Sequence, residues 1–91
     1  MRILWDKDKA RINEEKHGVT FEEAAEVLLG HCLKLASNAK SERRYIAISR
    51  NRGEYLTVVY TERKLATRII SARHSSAKEK LLYERDFNNR I

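Results

Sequence analysis

The sequence predicts an α+β domain built on a small antiparallel sheet of three or four strands, with two N-terminal helices and one C-terminal helix. Three observations carry this expectation. Apolar residues in the first third recur at helical spacing behind helix-capping residues. From about Leu33 to His74 the spacing changes to two, and a second capping signature follows that segment.

Taken in order, "MRILWD" has the composition of a short strand, and Asp6 can cap a first helix running to about Lys16. Gly18 can close that helix in the left-handed conformation, with His17 in the last turn facing the negative end of the macrodipole. Thr20 and Glu23 have capping-box spacing, after which Phe21, Ala24, Ala25 and Leu28 fall on one helical face and Gly30 supplies a stop. "LKLAS" reads as a weaker strand at a sheet edge. Three stronger strands follow, separated by "NRG" and by the polar "ERK" region. In the first, from Arg43 to Arg50, Ile46 and Ile48 share one face, while Arg43, Tyr45 and Ser49 share the other. In the second, Leu56 and Val58 alternate with Tyr55, Thr57 and Thr61. In the third, Ile70 and Ala72 alternate with Thr67, Ser71 and Arg73, and Ile69 falls on the polar side. Ser76 and Glu79 open the final helix, whose Ala77 and Leu81 share a face that can return to the sheet, and "FNNRI" is expected to fray. The helices are expected on the apolar sheet face, leaving the polar face open for a ligand.

Ninety-one residues without proline, repeats or low-complexity segments suit one domain spanning 1–91. No run approaches the roughly 20 apolar residues of a membrane span, and the N-terminus lacks the apolar core of a secretory signal, so a soluble cytoplasmic protein with no membrane partner is expected. Cys32 is the only cysteine, which rules out an intrachain disulfide and agrees with a reducing compartment. The net charge of +6 is unevenly placed. Residues 1–40 hold seven basic and seven acidic side chains, and residues 41–91 hold twelve and six. An excess confined to one half suggests a polyanionic partner, with nucleic acid the leading candidate, because lysine and arginine that neutralise phosphates release condensed counterions.

Several clusters could serve such a partner. On the first helix Lys9, Asn13, Lys16 and His17 lie at i, i+4, i+7 and i+8, a stripe able to hold a phosphate, or simply a solvated face beside a capping histidine. On the expected open sheet face Arg43 and Arg73 can flank Tyr45 and Tyr55, and unpaired RNA bases stack on such rings. "VVYTERKLATRIISARHS" gathers basic side chains around Tyr60 and Glu62. Metal-free RNA cleavage needs proton transfer at the 2′-hydroxyl and at the leaving oxygen, plus fixed positive charge around the phosphorane. His17, Glu62, Tyr60 or Tyr83 could move protons, and Arg63 and Arg73 could stabilise charge. "GHC" offers no second ligand pair at a zinc spacing, and there is no glycine-rich phosphate loop or recognisable Ser/His/Asp set. No metal or other cofactor is expected.

Taken together, "WDKDKARINEEKHGVTFEEA", "ERRYIAI", "VVYTER", "RIISAR" and the spacing of Ala77, Glu79 and Tyr83 resemble the BrnT family of bacterial toxins over nearly the whole chain. The resemblance implies a fold like that of RelE-type ribonucleases and an RNA-cleaving toxin that inhibits translation. It also implies a hetero-oligomer with a co-encoded BrnA-like antitoxin, through which alone the toxin would meet DNA. By position it implies roles for Lys9, Lys16, His17, Arg43, Glu62, Arg63 and Arg73. The chain departs from the family pattern at Gly30 and His31, where an Asp-Pro pair is usual, and at "ASNAK", where an acidic run with histidine is usual. A non-catalytic nucleic-acid module and a protein-interaction domain are the alternatives.

Overall fold

A computed structural model of the chain describes residues 2–37 and 43–90. The loop before Glu42, with most of "ASNAK", lies outside the described residues, as do Met1 and Ile91. The elements are β1 (Ile3–Leu4), α1 (Lys7–His17), α2 (Phe21–Leu29), β2 (Leu33–Ala36), β3 (Arg44–Asn51), β4 (Glu54–Arg63), β5 (Ala66–His74) and α3 (Ala77–Arg90).

The caps form as their residue types dictate. Asp6 accepts hydrogen bonds from the Asp8 and Lys9 amides, which holds its carboxyl below the ordinary range. Gly18 closes α1 at φ 69°, its amide donating to the Glu14 carbonyl at 2.8 Å. The Thr20–Glu23 capping box starts α2. The β3–β4 hairpin turns on Arg52 and Gly53, both at positive φ, as a two-residue turn that follows the strand twist requires.

The sheet has five strands in the order β1-β5-β4-β3-β2 and is mixed, not the all-antiparallel sheet of three or four strands expected. β1 is the difference: too short to have been counted in the sheet, it pairs parallel with the start of β5. The weak "LKLAS" segment forms the edge strand β2, antiparallel to β3.

Helices cover both faces, contrary to the one-sided arrangement expected. α1 lies against β5, and α2 lies across β3, β4 and β5. Between these two helices and the sheet sits the main core, which includes Val19, Phe21, Ala24, Val27, Leu28, Ala47, Leu56, Val58, Tyr60, Ile69 and Ala72. α3 packs on the opposite face, where its Glu79 and Glu84 hydrogen-bond with Thr57 and Tyr55. Two-sided burial corrects the reading of β3: Tyr45, Ala47 and Ser49 look toward α1 and α2, and Ile46 and Ile48 occupy the side that α3 partly covers.

Register resolves Ile69 as well. Val59 pairs with Ser71 but Tyr60 pairs with Ile69, so Ile70 is an extra residue in β5. This bulge returns Ile69 and Ala72 to the same core face. In α3 the returning face is Glu79 and Tyr83, not Ala77 and Leu81, which are exposed. The helix also continues through "FNNR" to Arg90, with the Phe87 ring stacked on Tyr83.

Candidate functional site

α1 is joined to the sheet by one buried side chain. β1 ends early, so beyond Arg68 the outer backbone of β5 has no strand to pair with among the described residues. Asn13 takes that place. Its amide nitrogen donates to the Ala72 carbonyl at 2.8 Å and the Val19 carbonyl at 3.0 Å, and its oxygen accepts from the Ala72 amide at 3.1 Å. Asn13 is therefore a structural tie, and the phosphate stripe loses one of its four members to the interior.

The others remain outside. Lys9, Lys16 and His17 are exposed, and together with Ile12, Asn13, Ile70 and Ser71 they line a hollow of about 200 Å³ between α1 and β5. A second hollow of about 220 Å³ adjoins it, lined by Lys9, Arg44, Thr61, Arg63, Arg68 and Ile70. Lys9 and the bulge residue Ile70 border both, so the two hollows make one groove along the α1–β5 seam. Three strand-borne arginines and one helix-borne lysine bring its second part four cationic side chains. Such a cluster attracts phosphate, and the groove carries an imidazole at its other end.

Of the residues expected in the site, the groove gathers Lys9, Lys16, His17 and Arg63. The rest are placed elsewhere. Arg73 lies on the same sheet face as Arg68 but makes a bidentate pair with Glu79 at 2.7 and 2.9 Å under the start of α3. That pair raises the guanidinium pKa and, with the Ser76 amide and Thr57 hydroxyl, holds the Glu79 carboxyl at about 2. Glu62 neighbours Arg63 on β4 and so points to the opposite sheet face, on the same side as Tyr60. Its negative charge there adds to burial in pushing the Tyr60 phenol up to about 12.

The tyrosines are corrections to the expected stacking platform. Tyr60 is 2% exposed in the core, its ring stacked on Tyr45 at 5.6 Å, so both face the helices rather than a ligand. Tyr83 is buried between Tyr55 and Phe87. Arg43 is exposed just ahead of β3 and lines neither hollow. Reading strand parity from Ile46 as though only one face were buried hid Arg44, whose side chain does line the groove. Arg68 was hidden by the bulge, and its signal was the misfit of Ile69; Thr61 lies on the polar face expected for it, but nothing local marked it as a site residue. Among the described residues no group of three or more His, Cys, Asp or Glu side chains is placed to hold a metal ion. No described helix is long and apolar enough to cross a membrane.

Fold and groove together define a small α+β domain with a groove lined by basic side chains. The chain belongs to the BrnT family: residues 5–79 match the family described as ribonuclease toxin, BrnT, of type II toxin-antitoxin system. Membership implies RNA as substrate and an antitoxin as partner. No curated protein matches the chain closely enough to mark a relative.

Proposed function

We propose that the chain is a metal-independent endoribonuclease that cuts RNA in the α1–β5 groove and thereby inhibits translation until a BrnA-like antitoxin covers that groove. The observation that carries this reading is the meeting of His17, Lys9 and Lys16 on one wall with the arginine-lined hollow beside them. The scissile phosphate lies by His17. There the 2′-oxygen attacks phosphorus as its proton passes to the imidazole, and the phosphorus–O5′ bond breaks as the leaving oxygen takes a proton from an ammonium group or water. The products are a 2′,3′-cyclic phosphate and a 5′-hydroxyl. Lys9 and Lys16 stabilise the charge that builds on the phosphorane oxygens.

In this reading Arg73 positions α3 through Glu79, and Glu62 takes no part, being turned to the other face. A RelE-like fold is consistent with a sheet flanked by N-terminal helices. An antitoxin that neutralises the toxin meets a cationic groove, so acidic side chains on the partner and arginines here should dominate the contact.

Incubation with single-stranded RNA in EDTA tests the proposal. Wild type should yield cyclic-phosphate ends, and His17→Asn should lose at least about 100-fold in rate while binding RNA nearly as well, since general acid–base catalysis contributes about 10²–10⁴-fold. Helix closure rests on Gly18 and is untouched by that change. Equal cutting by the variant would remove His17 from the chemistry, and binding without any cut by wild type would favour the non-catalytic module.

A further inference from the structure

The two parts of the groove differ in what they can do to a phosphate. The part beside His17 holds an imidazole, a group able to exchange protons with a substrate. The second part is lined by guanidinium groups, an ammonium, a hydroxyl and an isoleucine, a set suited to gripping oxyanions by charge and hydrogen bonds.

Two features make it a built site rather than a patch of surface charge. Thr61 is 4% exposed, and its buried Oγ1 has no hydrogen-bond partner among the described residues. An unpaired buried hydroxyl is disfavoured, and an anion in the hollow would accept from it. Thr61 also pairs in register with Arg44 on one side and Arg68 on the other, which sets two guanidinium-bearing residues directly across a central strand on one face. Arg63 lies two residues further along the same face of β4, and neither it, Arg68 nor Lys9 makes an ion pair within 4 Å among the described residues.

We propose that the Thr61 hollow is an anchor for an intact phosphodiester adjacent to the scissile one, so that the chain reads RNA as a run of at least two consecutive phosphates. The proposal rests on the ribonuclease reading for its order of sites. Cleavage then depends on a linkage that is not itself cut, and a dinucleoside monophosphate is a poor substrate.

The test uses a short oligonucleotide with a single ribose, which confines cutting to one linkage, and replaces each neighbouring phosphodiester in turn by an uncharged methylphosphonate. A fully 2′-O-methyl version of the same series reads binding without cutting. One neighbouring replacement should slow cleavage at least tenfold and weaken binding, with the others changing both less than about twofold. At that position the salt dependence of binding should fall by about 0.7 in the log–log slope, the share that one neutralised phosphate of a single strand contributes. In Arg68→Gln, and independently in Thr61→Val, the penalty for that replacement should vanish, because the group it served has gone. Indifference to every replacement in both series overturns the anchor, as does a penalty that persists in both variants. Loss of cleavage by wild type on all-ribose RNA overturns the ribonuclease reading instead, and the binding series still decides the anchor. Salt-sensitive capture of an acidic peptide in place of RNA would assign the hollow to a protein and also overturn it.

Discussion

Replacing Asn13 by leucine isolates the tie between α1 and the sheet. The substitution keeps a side chain of similar length in the buried site but leaves the Ala72 amide, the Ala72 carbonyl and the Val19 carbonyl without the partner that now meets them at 2.8–3.1 Å. Each buried group stranded in this way costs about 1–3 kcal/mol, partly offset by the added apolar burial, so a loss of about 3–5 kcal/mol in unfolding free energy is expected. At about 2.1 cal/mol/K per residue the unfolding entropy of a chain this size makes that a fall of roughly 15–25 °C in Tm. Urea unfolding and thermal melts followed by circular dichroism measure both quantities. Asn13→Asp serves as the control. It keeps an acceptor for the Ala72 amide but sets oxygen against two carbonyls, so it should be at least as damaging at pH 7 and should recover in part once acid protonates it. A leucine variant that lost under about 1 kcal/mol, the lower end of the cost of one stranded group, would refute the claim that this carboxamide stands in for a missing strand.

Tyr60→Ala should cost about 3–5 kcal/mol in stability, as a large aromatic side chain removed from a core does, while RNA affinity per folded molecule is unchanged. A selective loss of affinity, measured by anisotropy at a temperature where the variant is folded, would instead restore Tyr60 to a stacking role. Glu79 supplies a pH signature. Its carboxyl is held at about 2, against an ordinary 4.5, chiefly by Arg73. A depressed carboxylate stabilises the fold above its unfolded pKa, and that contribution is lost as pH falls from about 4.5 toward 2. The difference corresponds to up to about 3 kcal/mol. Glu79→Gln should therefore be less stable than wild type above about pH 5, with the two converging toward about pH 2–3 in urea titrations. A gap that does not narrow in acid would remove the Arg73 pair as its source.

What the sequence made legible followed local physics. Asp6, Gly18, Thr20 and Glu23 announce helix ends because the groups they satisfy lie within a few residues, and the structure places α1 and α2 accordingly. Tyr45 misled because alternation identifies two faces without saying which is wetter. Once α3 covers part of the second face, Ile46 and Ala47 both have reason to be apolar. The Arg73–Glu79 pair joins β5 to α3, and nothing in either segment alone shows that a phosphate-binding arginine is already taken. Lys9, Lys16 and His17 could be found because one helix presents them together, whereas Thr61, Arg44 and Arg68 come from three strands and become neighbours only through register and one inserted residue.

That inserted residue has a consequence for how this chain can vary. Ile70 shifts the phase of β5 halfway along its length, so Ile69 and Ala72 point inward while Arg68 points outward. Shortening the strand by this one codon would restore a regular ladder with the same pairs, leaving Ile69 and Ala72 inward and Arg68 outward. Exchanges of one side chain for another at position 70 leave the phase alone. Descendants of this sequence could thus lose that residue without turning any neighbour over, and what they would give up is the isoleucine that borders both hollows.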